Sequence, residues 1–165
     1  MIRPVRPEDA EELAALYRAN REFLGPFEPV RPSEFFTADG QRERLERQRA
    51  DQTHPFAIVD VDAIAGTINL FGIVRGSLQS GVIGYWIDRA RNGRGLATGA
   101  VAEILAYAFD ELDLHRVEAA TLVDNVPSQR VLEKNWFERI GVARRYLRIN
   151  DDWRDFVLFQ RLAGS

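Results

Sequence analysis

A short glycine-rich turn is the segment of this chain best suited to chemistry. Residues 92–98 contain two glycines and follow residues 81–87, an apolar run rich in β-branched and aromatic side chains that predicts a strand. Apolar residues then recur at helical spacing from Val101 to Leu112. A glycine turn at the start of a helix presents free backbone N–H groups at the positive end of the helix dipole. The turn therefore predicts a binding site for a phosphate-bearing cofactor.

The elements that must position this turn alternate between strand and helix patterns. Strands are predicted over residues 2–5, 56–61, 64–74, 82–87, 116–122, 144–149 and 156–161. Helices are predicted from residue 7, from residues 37–39 to about 50, and over 96–112 and 126–134. Three prolines within residues 25–32 predict a semi-rigid loop after the first helix. The order β-α-α-β-β-β-α-β-α-β-β predicts an α/β (α+β) fold with a mixed sheet.

Composition excludes several other classes of protein. The 165 residues predict one domain, 1–165, and 22 basic against 25 acidic residues give a net charge of −3. This charge offers no basic surface for nucleic acid and slightly favours a cationic substrate. The chain has no cysteine, and His54 and His115 lack the spacing of a zinc motif, so we expect no structural zinc, whereas a metal held by scattered carboxylates remains open at this point. Without a membrane-length apolar run or a signal segment at the N-terminus, we expect a cytoplasmic protein with no membrane contact.

The glycine turn after a three-stranded meander resembles the GCN5-related N-acetyltransferase (GNAT) family. That family's phosphate loop reads Gln/Arg-x-x-Gly-x-Gly/Ala, and here Asn92, Gly95 and Ala97 occupy its positions, with asparagine replacing the usual first residue. The resemblance implies the GNAT fold, a mixed and mostly antiparallel sheet of six to seven strands flanked by about four helices.

A second motif supports the resemblance. Asn125-x-x-Ser128, followed by Glu133-Lys134, is similar to the family's helix beside the pantetheine arm. Relatives usually have Gly-Phe soon after the lysine, whereas this chain has Trp136 before its phenylalanine. We expect either a remodelled helix exit or a tryptophan that covers part of the cofactor channel.

Three further segments resemble the ribosomal-protein-alanine N-acetyltransferase branch of the family. They lie within residues 20–31, 74–77 and 152–158, so that all the matches together span nearly the whole chain. The branch implies acetyl transfer to the N-terminal α-amine of a ribosomal protein. It also implies an acceptor site bordered by four residues: Phe27, Arg75, Ser77 and Asp155.

The resemblance implies acetyl-CoA as co-substrate, with no metal. The backbone of the strand that ends near Ile87 would pair with pantetheine and direct an N–H at the thioester oxygen. Asn125 would contact the pantetheine amides, or it would only cap the following helix, since Asn is a favoured N-cap. The residues expected to bind the co-substrate are Trp86, Ile87, Asn92, Gly93, Arg94, Gly95, Leu96, Ala97, Thr98, Asn125, Ser128, Arg130 and Lys134.

Proton transfer is assigned to a small set of candidates. A protonated amine must lose a proton before it attacks, and Glu118, Glu28 and Asp155 are the candidate bases. Ser128 is the candidate acid for the departing thiolate by resemblance, and no tyrosine stands out for this role. Glu118 would alternatively pair with Arg116 as a purely structural ion pair.

Three functions remain open from the sequence. The leading prediction is a protein N-terminal acetyltransferase, and the first alternative is the same chemistry on a small amine such as an antibiotic or polyamine. The second alternative is an acyl-CoA-binding protein without catalysis. Either a monomer or a homodimer is expected, since exposed edge strands of such a sheet allow pairing.

Overall fold

The computed structural model describes residues 1–164, so residue 165 of the predicted domain lies outside the described part. Seven strands are present: β1 (Ile2–Pro4), β2 (His54–Asp60), β3 (Ala63–Val74), β4 (Ser80–Ile87), β5 (Arg116–Leu122), β6 (Glu138–Ile149) and β7 (Asp152–Leu162). The α-helices are α1 (Ala10–Ala19), α2 (Arg21–Leu24), α3 (Ala38–Ala50), α4 (Leu96–Ala106) and α5 (Val126–Lys134). Short 3₁₀ turns cover Pro7–Asp9, Ser33–Phe36 and Arg89–Arg91, and α4 continues into a π-helical turn, Tyr107–Glu111.

The strands form one sheet in the order β1-β2-β3-β4-β5-β7-β6. All neighbours are antiparallel except β4 and β5, which run parallel. The predicted mixed, mostly antiparallel sheet is therefore confirmed. Strand β6 begins six residues earlier than predicted, because its outer-edge position leaves it exposed and arginine-rich, without the apolar alternation that marks a half-buried strand.

Helices cover both faces of the sheet. Val101 and Ile104 of α4 pack with Leu132 of α5 in the largest apolar cluster, on one face. On the other face, Leu13 of α1 packs with Leu45 of α3 in a second cluster. The sheet is thus sandwiched between α4 and α5 on one side and α1 to α3 on the other.

The sheet opens in the middle. β4 and β5 pair only over Ser80–Val82 against Arg116–Glu118, and after these three residue pairs the strands separate. The carboxyl ends of both strands therefore border a gap, and the helices on each face of the sheet close around it.

No helix within residues 1–164 is long and apolar enough to cross a bilayer. In the same range, no three His, Asp or Glu side chains are grouped so that they could hold a metal ion.

Candidate active site

A cleft of about 840 Å³ occupies the gap between β4 and β5. Residues 83–87 of β4 and 119–122 of β5 form its two edges. The start of α4 and one side of α5 line it on one face of the sheet, and α1, α2 and the loop after α2 line it on the other. A cleft of this size at a break in a sheet suits a small-molecule ligand that buries most of its length.

The glycine turn forms one end of the cleft. Gly93 and Gly95 have φ angles of +77° and +78°, a left-handed conformation that glycine adopts without steric cost. Gly95 is the N-cap of α4, and the first helical hydrogen bond runs from the N–H of Gly99 to the carbonyl of Gly95 at 3.0 Å. Helix geometry therefore leaves the N–H groups of residues 96–98 without a partner inside the helix. All of residues 92–98 except Arg94 line the cleft.

Two hydroxyl groups meet at the middle of the cleft. The oxygens of Tyr85 and Ser128 lie 2.8 Å apart, and the Tyr85 oxygen is 3.2 Å from the carbonyl oxygen of Ser128. Burial raises the pKa of Tyr85 to about 12, so this phenol stays protonated across the physiological range. Asn125 caps α5 by accepting the N–H of Ser128 at 3.3 Å, and its side chain also lines the cleft. The structure thus shows the capping role predicted for Asn125 and places it where a ligand would contact it.

Neighbouring residues of β4 point to opposite faces of the sheet. Tyr85 reaches α5 on one face, whereas the indole N–H of Trp86 donates to the hydroxyl of Tyr17 on α1, at 3.0 Å, on the other. The N–H of Asp88 donates to Ala65 of β3 at 2.7 Å. Because N–H groups alternate along a strand, the N–H of Ile87 points the opposite way, into the gap.

A carboxylate stands on the α1 face of the cleft. Glu28 lines both the main cleft and an adjoining cavity of about 240 Å³, and its Oε2 lies 3.7 Å from Nε of Arg31. Phe27 also lines the main cleft and is 39% exposed. Of the candidate bases, the structure brings only Glu28 into the cleft.

The Acetyltransferase (GNAT) domain model matches residues 1–138, more than half of this chain. The chain belongs to the GNAT acetyltransferase family. It is similar to the probable N-acetyltransferase YjcK of Bacillus subtilis (strain 168), 42% identical over 160 residues that cover 93% of this chain and 88% of that protein. It is also similar to the [ribosomal protein uS5]-alanine N-acetyltransferase of Escherichia coli (strain K12), 34% identical over 164 residues, 96% of this chain and 84% of that one.

Solved GNAT structures superpose closely on this fold. The ribosomal-protein-S5-alanine acetyltransferase from Vibrio fischeri has a TM-score of 0.92 at 31% identity, covering 99% of this chain and 93% of that chain. Mycobacterium smegmatis RimJ, solved in complex with CoA-disulfide, has a TM-score of 0.93 at 31% identity, covering 98% of this chain and 81% of that chain. The chain is accordingly an N-acetyltransferase of the GNAT type, a class of enzymes that uses acetyl-CoA.

The arginine that faces the cleft beside the glycine turn is Arg91, not the predicted Arg94. Arg94 donates to the carboxylate of Asp60 at 2.7 Å and does not line the cleft, because the left-handed residues on both sides turn its side chain outward. Arg91 lines the cleft instead, and its guanidinium lies 3.5 Å from Asp60. Sequence reasoning missed Arg91, although its position directly before Asn92 was an available signal.

Four other predicted residues lie away from the GNAT cleft. Glu118 pairs with Arg116 at 3.7 Å at the closed end of the β4–β5 gap, where the strands are still joined. Asp155 accepts the N–H of Arg145 at 2.8 Å across a bulge in β6, so its carboxylate supports the hairpin. In this structure both carboxylates lie outside the lining of the cleft.

The turn between β3 and β4 is also remote from the cleft. It lies at the opposite end of β4 from Ile87, and Arg75 donates to the carbonyl of Leu112 after the π-helical turn. Ser77 is exposed in the same turn. Arg75 and Ser77, predicted to border the acceptor site, therefore lie at the far end of the sheet and outside the lining of the cleft.

Trp136 takes the position of the family glycine without changing the helix exit. Its φ angle is +61°, and its N–H and that of Phe137 donate to the carbonyls of Glu133 and Leu132, the hydrogen-bond pattern of a Schellman motif. The indole is 76% exposed and lies outside the cleft lining. Lys134, just before the exit, does line the cleft, as does Arg130 one turn earlier. Trp136 therefore does not close the channel.

The GNAT site also contains Tyr85, which sequence reasoning missed. The sequence did contain a signal for it: Tyr85 lies two residues before Ile87 on the strand predicted to border the cofactor, and residues two apart on a strand face the same side of the sheet.

Proposed function

We propose that this enzyme transfers the acetyl group of acetyl-CoA to the N-terminal α-amine of a protein, of the kind that its ribosomal-protein relatives are named for. The observation that carries the proposal is the two-sided cleft. Phosphate-binding amides and Ser128 lie on the α4 and α5 face, whereas Glu28 and its adjoining cavity lie on the α1 face. Such an arrangement lets a thioester and an amine meet in the gap from opposite sides.

The α4 and α5 face fits acetyl-CoA. The N–H groups of residues 96–98 and the positive end of α4 would bind the pyrophosphate. Arg91, Arg130 and Lys134 line the same end and would add positive charge near the phosphates. Asn125 would bond the amides of the pantetheine arm, and the N–H of Ile87 would donate to the thioester oxygen and to the oxyanion that forms from it.

Residues on the α1 face would prepare the amine. Glu28 takes a proton from the incoming ammonium, and the neutral nitrogen attacks the thioester carbonyl carbon. The new C–N bond forms, the C–S bond breaks, and the departing thiolate receives a proton. Ser128 would relay that proton: its hydroxyl protonates the thiolate and takes the second proton that the attacking nitrogen loses, so that the amide, the thiol and the serine all end neutral. The hydroxyl of Tyr85, 2.8 Å away, holds the serine in place. Holding both reactants in line supplies much of the rate enhancement.

The experiment is to measure thiol release from acetyl-CoA with peptides that begin with Ala or Ser, with the same peptides blocked at the α-amine, and with polyamines and amino sugars. Acetylation of the unblocked peptides alone supports the proposal. Turnover only with small amines identifies a small-molecule acetyltransferase. Normal acetyl-CoA binding without turnover on any amine identifies an acyl-CoA-binding protein.

Glu28→Gln tests the assignment of the base. The variant keeps the shape of the side chain but accepts no proton, so we expect kcat/KM at neutral pH to fall by about 10²-fold or more. The matched control is Glu118→Gln, which removes the same charge outside the cleft and should leave kcat/KM within about twofold. Equal losses in the two variants would contradict the assignment.

A further inference from the structure

Three arginines stack on the aromatic cluster that walls the acceptor side of the cleft. The cluster consists of Tyr17, Phe35 and Phe36. Each guanidinium carbon lies within cation–π range of a ring centroid. The distances are 4.7 Å for Arg21 over Phe36, 4.9 Å for Arg31 over Phe35, and 5.4 and 5.5 Å for Arg44 over Tyr17 and Phe35.

These contacts with the rings leave most N–H donors of the three guanidiniums available. A guanidinium carries five N–H groups. Arg44 donates one of them to Gln41 at 3.2 Å, and Nε of Arg31 is buried without a hydrogen-bond partner, 3.7 Å from Glu28. Among residues 1–164, the bond from Arg44 is the one hydrogen bond that the three guanidiniums make, so their terminal N–H groups remain available to an incoming acceptor group.

The charge balance of the acceptor side is strongly positive. Arg21 and Arg31 line the small cavity, and Arg31 and Arg44 line the main cleft. Glu28 is the one carboxylate among the described residues that line either space. These arginines lie on the Trp86 side of β4, whereas the phosphate-binding elements lie with α4 and α5, so the phosphates of CoA would not neutralise them.

We propose that Arg21, Arg31 and Arg44 select acceptors that carry a carboxylate within one or two residues of the reacting amine. This inference rests on the proposed acetyl transfer to a peptide N-terminus. Glu28 and Arg31 form a pair of opposite charges, and an acceptor with an ammonium followed by an acidic side chain is its complement. Adjacent residues are about 3.8 Å apart along the chain. An acidic residue at the second or third position therefore reaches the arginines while its α-amine reaches Glu28.

The test compares two sets of three peptides that begin with Ala: Asp, Asn or Lys is the second residue in one set and the third residue in the other. At low ionic strength we expect kcat/KM for the Asp peptide to exceed that for Asn by about tenfold, with Lys lowest. The preference should shrink as salt is added, because the arginines remain partly solvated.

Substitution of the arginines tests whether they cause the preference for Asp over Asn peptides. Arg44→Gln should reduce the Asp/Asn ratio about threefold or more, and Arg44→Lys, which keeps the charge, should retain part of it. The matched control is Arg47→Gln, which removes the same charge from the outer face of α3, where the side chain is 68% exposed. It should leave the ratio unchanged.

Two different failures are distinguishable. An Asp/Asn ratio near one in the wild type, or a ratio that Arg44→Gln and Arg47→Gln change equally, overturns the selection of acidic acceptors while acetyl transfer stands. If no peptide is acetylated, the proposed function fails, and calorimetry with Nα-acetylated Ala-Asp and Ala-Asn peptides on the CoA complex still measures the charge preference. Equal affinities there would overturn it independently of turnover.

Discussion

Replacement of Tyr85 by Phe should make stability respond to pH in a characteristic way. Burial raises the pKa of Tyr85 to about 12 from an ordinary value of 10.0, so the folded state favours the neutral phenol. That contribution is fully present below about pH 10 and is lost as the pH rises from 10 toward 12. At about pH 11 the wild type should have lost roughly 1.4 kcal/mol from this group, since one pKa unit corresponds to 1.36 kcal/mol.

The Tyr85→Phe variant loses a hydrogen bond instead of a titrating group's pH dependence alone. Tyr85→Phe removes the contact with Ser128 at 2.8 Å and should be about 1 kcal/mol less stable than the wild type near pH 8. Because Phe does not ionise, the stability curve of the variant is flatter above pH 10. The difference in the free energy of unfolding should therefore reach zero between pH 10 and 11, and at pH 11 the variant should be about 0.4 kcal/mol more stable than the wild type.

Urea unfolding followed by circular dichroism at about pH 8, 10 and 11 measures this difference. Tyr146→Phe is the matched control, because its ring is exposed and lies on β6, away from the cleft. The gap between the wild type and the control should stay constant with pH. A gap between the wild type and Tyr85→Phe that also stays constant would refute the argument that burial sets the pKa of Tyr85.

Three further changes test the turn, the helix exit and the N-terminal ion pair. Gly95→Ala, at a φ of +78°, should lower the free energy of unfolding by about 1–2 kcal/mol and weaken CoA binding measured by calorimetry. Gly99→Ala is the control, because it lies inside α4 with nothing within 4 Å of the new Cβ, and it should leave CoA binding intact. At Trp136, with φ of +61°, the Gly variant should be about 1 kcal/mol more stable than the Ala variant, the reverse of the order at an ordinary helical position; equal thermal midpoints would contradict the strain. The hydrogen bond from Arg3 lowers the pKa of Asp9, so the ionised Asp9 contributes stability above about pH 4, and this contribution is lost as the pH falls below 4. The free energy of unfolding of Asp9→Asn, measured in urea, should therefore fall less steeply with acid than that of the wild type. Equal pH dependence in the two proteins would contradict this.

The local parts of the site were predictable from the sequence. A glycine turn that begins a helix can be recognised from the order of neighbouring residues alone, and residues 92–98 form such a turn at the start of α4, bordering the cleft with every residue except Arg94. Asn125 and Ser128 share one helical turn, so their mutual geometry is also local. The succession of strands along the chain followed from the same periodicities, although β6 begins earlier than predicted because its exposed edge position gives no alternation. The order of the strands within the sheet was not predicted.

The misplaced residues depend on which way a side chain points and on contacts distant in the chain. Glu118 is on the right strand, but the point at which β4 and β5 separate decides whether it meets the ligand, and no sequence pattern marks that point. Arg94 is in the right turn, but Asp60, 34 residues earlier, holds it outward. Tyr85 belongs to the site because its hydroxyl contacts that of Ser128, which lies 43 residues later in the chain, and this contact exists only in the folded protein.

The early separation of β4 from β5 has a mechanical consequence. Strands β1 to β4 and strands β5 to β7 are two partial sheets that share only three residue pairs. The inner edges beyond these pairs present backbone N–H and C=O groups to water when the gap is empty. A ligand arm that bears amides would supply partners for these groups and so link the two partial sheets. Binding in that way should slow hydrogen exchange on β4 and β5 together, beyond the atoms that the ligand contacts, because the ligand would take the place of a missing strand.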